Sequence, residues 1–173
     1  YKLSNLATRN NDITGTWQAI KSAGMTSVIQ PALRDLFNDT ELPDYAKQFK
    51  NCDASSVETV LDMFFQMLTF EKIGIASIAE SNEKYSFVCL SIVALLNDSF
   101  RLTGLLKKLN TVPNLFNGIS LSVAEYLDKY DPTKSAAWWD TIMDVCGGSV
   151  LDLCRKLCSS KSANIEMVEQ LLS

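Results

Sequence analysis

The stretch from Ser56 to Phe70 carries Val57, Val60, Leu61, Met63, Phe64, Phe65, Met67, Leu68 and Phe70. At 3.6 residues per turn these side chains cover most of a helix's circumference. A helix that is apolar on nearly every side cannot lie on a surface, so other elements must wrap it. The preceding Ser55-Ser56-Val57-Glu58 has the form of a capping box, in which a serine oxygen and a glutamate each satisfy an unpaired amide, and it predicts where the helix starts. A second segment of the same kind runs from Tyr85 to Leu96, with Val88, Cys89, Ile92, Val93, Leu95 and Leu96 spread around the axis. Both fall short of the roughly 20 apolar residues needed to span a bilayer. They read as buried core helices of a soluble protein.

Shorter amphipathic helices are predicted around these two. Ile13 to Ala23 places Ile13, Trp17 and Ile20 on one face and meets a terminator in Gly24. Val28 to Phe37 has Pro31 early and a brief segment opens at Pro43, both tolerable in a first turn, where no backbone donor is needed. Phe100 to Leu109 follows. Thr111-Val112-Pro113-Asn114 and Asn117-Gly118 then predict the longest loop, a candidate hinge over 110–119. The alternation in Ile119-Ser120-Leu121-Ser122-Val123 is the one strand-like run, and it leads into a further capping box at Ser122. A helix is expected from Asp131-Pro132 to Cys146, ended by Gly147-Gly148, with short helices after Ser149 and Ser162.

These readings give an all-α fold: one compact multi-helix domain over 1–173, irregular over 1–11, with two central apolar helices wrapped by shorter amphipathic ones. A chain of 173 residues suits one domain and buries about 70% of its unfolded surface. The amino end, Tyr1-Lys2-Leu3-Ser4-Asn5, has neither an initiator Met nor the basic-then-apolar order of a signal peptide, so a piece processed or cut from a longer chain is expected.

The most restrictive chemical fact is the absence of histidine. It removes the commonest general base, most zinc sites and every serine or cysteine catalytic system that relies on an imidazole. The seven glycines match neither the phosphate-cradling nor the dinucleotide-binding pattern. Carboxylate pairs at helical spacing occur at Asp140 and Asp144 and at Asp35 and Asp39, a pattern that solvated helix faces also produce. A net charge of −4 without a basic run disfavours nucleic acid, which demands clustered Lys and Arg. No enzyme activity, cofactor or metal is expected.

Five cysteines are an odd, modest number for a chain with a good core, and they favour reduced thiols in the cytoplasm over a disulfide framework, although a secreted protein stays open. Cys146, Cys154 and Cys158 lack the paired spacing of structural metal sites, so packing is the expected role.

Two clusters are candidates for binding. Trp138-Trp139, with Ile142, would present tryptophan to a partner, since neighbouring helical side chains point about 100° apart and one ring can stay outside the core. Phe64, Phe65 and Met67 would line an apolar cavity, if one exists. The first implies a non-enzymatic interaction module for a partner helix or peptide. The second implies a carrier of a lipid-like small molecule.

Overall fold

Helix starts and stops are written locally in this chain, and the computed structural model follows most of them. It describes residues 12–38, 41–146 and Cys154. Among these the backbone is helical without strands: α1 Ile13–Ser22, α2 Gln30–Phe37, α3 Leu42–Lys47, α4 Ala54–Phe70, α5 Asn82–Ala94, α6 Ser99–Leu109, α7 Pro113–Tyr130 and α8 Ser135–Val145. Three 3-10 turns, Gln48–Asn51, Ile75–Glu80 and Pro132–Lys134, join them. The all-α class is therefore correct. Prolines 31, 43 and 113 each occupy a first turn, where the missing N–H is no loss.

Helices α1 and α4 end in the same way with different residues. After α1, Gly24 at φ 66° lets its own N–H reach the Lys21 carbonyl and the Met25 N–H reach that of Ile20. After α4, Lys72 at φ 56° does the same with Thr69, and Ile73 with Leu68. This paired arrangement closes orphan carbonyls but requires a left-handed residue, which glycine adopts without steric penalty. A Cβ added at Gly24 meets nothing within 4 Å, so Gly24→Ala should cost about 1 kcal/mol from conformation alone. Lys72→Gly should instead raise stability, by about 0.5 kcal/mol. Opposite shifts in urea midpoint would verify the pair; shifts of one sign would contradict it.

The start of α4 differs from the predicted capping box. Asp53, not a serine, is the cap, with Oδ2 accepting from the Ser56 N–H at 2.9 Å and Oδ1 from the Ser56 hydroxyl at 2.7 Å. Ser55 lies inside the first turn, where its hydroxyl is 3.2 Å from that of Thr14 on α1. Aspartate accepts with full charge at a helix N-terminus and so outcompetes a serine two residues later.

The chain divides into two compact units, Tyr1–Asp98 and Ser99–Ser173. In the first, α4 packs against α1, α2 and α5, and α3 lies along α5. Helix α4 buries Val57, Val60, Leu61, Met63, Phe64, Phe65, Met67 and Leu68, while α5 buries Phe87, Val88, Cys89, Ser91 and Ile92. Trp17, fully buried on α1, donates its indole N–H to Asp62 Oδ2 at 2.6 Å, and Lys21 Nζ reaches the same oxygen at 2.7 Å. That bond fixes α1 on α4 without an unsatisfied indole.

In the second unit α6, α7 and α8 pack on one another. The expected loop over 110–119 shrinks to the three residues before Pro113, and both the strand-like run and the Ser122 capping box lie inside α7. Leu115, Phe116, Ile119, Val123, Ala124 and Leu127 are buried at helical spacing, and that burial outweighs the turn preference of Asn117-Gly118. The short helices expected after Ser149 and Ser162, and the irregular segment 1–11, lie outside the described residues.

Candidate functional site

Helix α8 carries the tryptophan pair, and its register decides which ring is available. Trp138, Ile142 and Val145 share a face by helical spacing, and all three are buried. Trp138 is fully enclosed and donates its indole N–H to the Ser120 carbonyl of α7 at 3.0 Å. The Ser120 hydroxyl in turn donates to the Phe116 carbonyl at 2.7 Å. Trp138 and Ile142 are thus parts of the core, and a partner cannot reach them in this fold. Trp139, with Met143 and Cys146 on the neighbouring face, is half-buried.

The residues expected to line a cavity are packed against other rings. Phe64 sits 5.2 Å from Phe37 and 5.1 Å from Phe87, measured between ring centroids, with Phe65 at 5.9 Å. Phe87 continues the cluster to Phe49 at 6.0 Å. Edge-to-face and tilted geometries recur throughout, as ring quadrupoles favour. Met67 is buried on the same helix. The carrier reading places a cavity beside Phe64, where the rings of Phe37, Phe65 and Phe87 pack within 5.9 Å.

The described cysteines are free thiols. Burial pushes the Cys89 thiol up to about 12, outweighing hydrogen bonds that favour the thiolate. Burial and the neighbouring Asp53 carboxylate also raise Cys52. Both shifts disfavour the nucleophilic form. At pH 8 about a quarter of ordinary thiols are ionised. Cys89 should therefore react with iodoacetamide at least a hundredfold more slowly than glutathione under the same conditions, read by peptide mass spectrometry, and equal rates would contradict its enclosure.

The carboxylates paired by helical spacing in the sequence face solvent where they are described. Asp140 and Asp144 are both solvent-exposed on α8, and Asp35 is exposed while Asp39 lies outside the described residues. Asp131 is held below the usual range by hydrogen bonds from the Thr133 hydroxyl and from Lys134, an arrangement local to one exposed turn. Among the described residues no three Cys, Asp or Glu side chains are placed to hold a metal ion. Cys154 is buried, and Cys158 lies outside the described residues. Within the same limits, no helix is long and apolar enough to cross a membrane.

Among the described residues four large apolar side chains face solvent instead: Met25 at 49%, Val28 at 67%, Phe100 at 88% and Tyr130 at 62% exposure. Met25 and Val28 belong to one turn, closed by a bond from the Val28 N–H to the Met25 carbonyl at 3.1 Å. Tyr130 stacks at 4.7 Å on Tyr126, with Lys129 Nζ 5.1 Å from its ring. The sequence held a usable signal for Phe100, because helical spacing sets it opposite Leu102, Leu106 and Leu109. No protein-family model, curated protein or solved structure matches this chain. The reading of its role therefore stands on these side chains alone.

Proposed function

We propose that the chain is a non-enzymatic helical protein-interaction module that binds a partner helix or peptide. Phe100 carries the reading. Its ring is 88% exposed on α6, whereas Leu102, Leu106 and Leu109 of that helix are buried. Leaving a phenylalanine in water forgoes roughly 2 kcal/mol of burial, which a partner would recover. Aromatic side chains of this kind anchor interaction hot spots. Half-buried Trp139, on α8 of the same unit, adds a second candidate anchor. The missing histidine and the suppressed thiol of Cys89 point away from nucleophilic or acid–base catalysis. A cytoplasmic setting, in which thiols stay reduced, goes with this reading. Carriage of a lipid-like molecule draws no support from the ring packing around Phe64.

Site-specific photo-crosslinking in cells of the natural source tests the proposal. A benzophenone amino acid at position 100 or 139 should yield a discrete adduct with one polypeptide, absent when the probe replaces exposed Gln48. Adducts that are equal at all three positions, or missing at both 100 and 139, would overturn it.

A further inference from the structure

The strongest unexplained surface is the outward face of α6. Its buried stripe is Leu102, Leu106 and Leu109, so the opposite face presents Phe100, Gly104, Lys107 and Lys108. Gly104 stands one turn from Phe100, and a Cβ placed on it meets nothing within 4 Å. The face is therefore an aromatic ring beside a bare strip of backbone, with ammonium groups a further turn along. The helix contains Arg101, Lys107 and Lys108 and no carboxylate, in a chain whose net charge is −4. Lys107 and Lys108 are exposed, and neither pairs with a described carboxylate.

A glycine in the middle of an exposed helix weakens that helix, and a lysine pair unmatched by acid adds nothing to its stability. Both features make sense as provisions for something that lies on the face. The bare strip at Gly104 admits close approach of another backbone or an apolar side chain, and the lysines supply complementary charge. We infer that this face of α6 docks an acidic amphipathic peptide segment, with an apolar side chain seated against Phe100 over Gly104 and carboxylates facing Lys107 and Lys108. The inference rests on the interaction-module reading and names its site and the chemistry of the partner. An anionic membrane is the poorer fit, because a single exposed ring and two lysines fall short of the large apolar face by which surface helices insert.

The test is selection of a random 16-residue peptide display library on the intact protein, followed by fluorescence anisotropy of the enriched peptides. The enriched set should be net acidic with at least one large apolar residue, and its binding should weaken as salt rises from 50 to 500 mM. The double variant Lys107→Glu with Lys108→Glu, and separately Phe100→Ser, should each weaken binding at least tenfold. Gly104→Gln is the sharper variant, since it improves helix propensity and leaves charge unchanged, yet should weaken binding at least tenfold by filling the strip. Far-UV circular dichroism would show that each variant keeps its helix content. Enriched peptides without acidic bias, or binding that depends on Phe100 but not on Gly104 or the two lysines, would overturn the acidic-peptide assignment while leaving the interaction module standing; binding indifferent to Phe100 would overturn both. No enriched peptide at all would overturn both. Phe100-dependent sedimentation with vesicles containing 30% phosphatidylserine, in place of peptide binding, would replace the peptide with a lipid surface and overturn the inference.

Discussion

Replacing Phe87 with alanine is expected to destabilise the protein by about 4 kcal/mol, read from urea denaturation followed by far-UV circular dichroism. The ring is fully buried on α5 and stands within 6.1 Å of the rings of Phe37, Phe49 and Phe64. Truncation removes its transfer free energy, leaves a void bounded by rigid aromatic edges, and breaks three ring pairs together. Phe100→Ala is the natural control, because an exposed ring of the same size should change stability by less than about 0.5 kcal/mol. A Phe87 variant that loses less than about 1 kcal/mol would mean that the cluster collapses around the gap and that the ring pairs contribute little.

Trp138→Ala carries the second large effect, also about 4 kcal/mol, for a different combination of reasons. The indole is enclosed in the second unit, and its N–H is satisfied by the Ser120 carbonyl. Trp138→Phe keeps most of the ring and loses the hydrogen bond, so it should cost about 1–2 kcal/mol. Trp139→Ala should cost less than Trp138→Ala, because its ring is already partly in water. If Trp139 proved the costlier residue, the register of α8 would be wrong, and Trp138 would become the ring presented to a partner.

Much of the fold could be read from local chemistry. Gly24 and the prolines at 31 and 43 mark helix ends by backbone rules that hold whatever surrounds them. The apolar girth of Ser56 to Phe70 likewise signals burial before any partner is known, and its apolar side chains other than half-buried Phe70 are buried. Misreadings arose where a local preference competed with a distant contact. Asn117-Gly118 is a strong turn signal in isolation, but Phe116 and Ile119 on either side are fully buried, and the helix runs through. Pro113, read as part of a loop, is also a good first residue for a helix, and spacing alone does not separate the two roles. At α4 the serine capping box read from the sequence lost to Asp53, whose charged carboxylate takes the cap instead.

The candidate site was less legible because exposure is a tertiary property. Two adjacent tryptophans must point in different directions, but only the packing of α8 against α7 settles that Trp138 goes inward. Phe64, Phe65 and Met67 show the same limit: whether large apolar side chains line a space or fill it depends on Phe37 and Phe87, which are distant in sequence. Phe100 was within reach, since it lies opposite a leucine stripe on a short helix. A buried stripe draws attention to itself, and the residue facing away from it does not.

Native mass spectrometry of the protein purified from its own source, paired with a denaturing scan, tests the central claim most directly. An interaction module should carry a second polypeptide in fixed stoichiometry, released on denaturation and lost from the Phe100→Ser protein. A small-molecule mass at one copy per chain, released on denaturation and indifferent to Phe100, would contradict it and establish a carrier in its place.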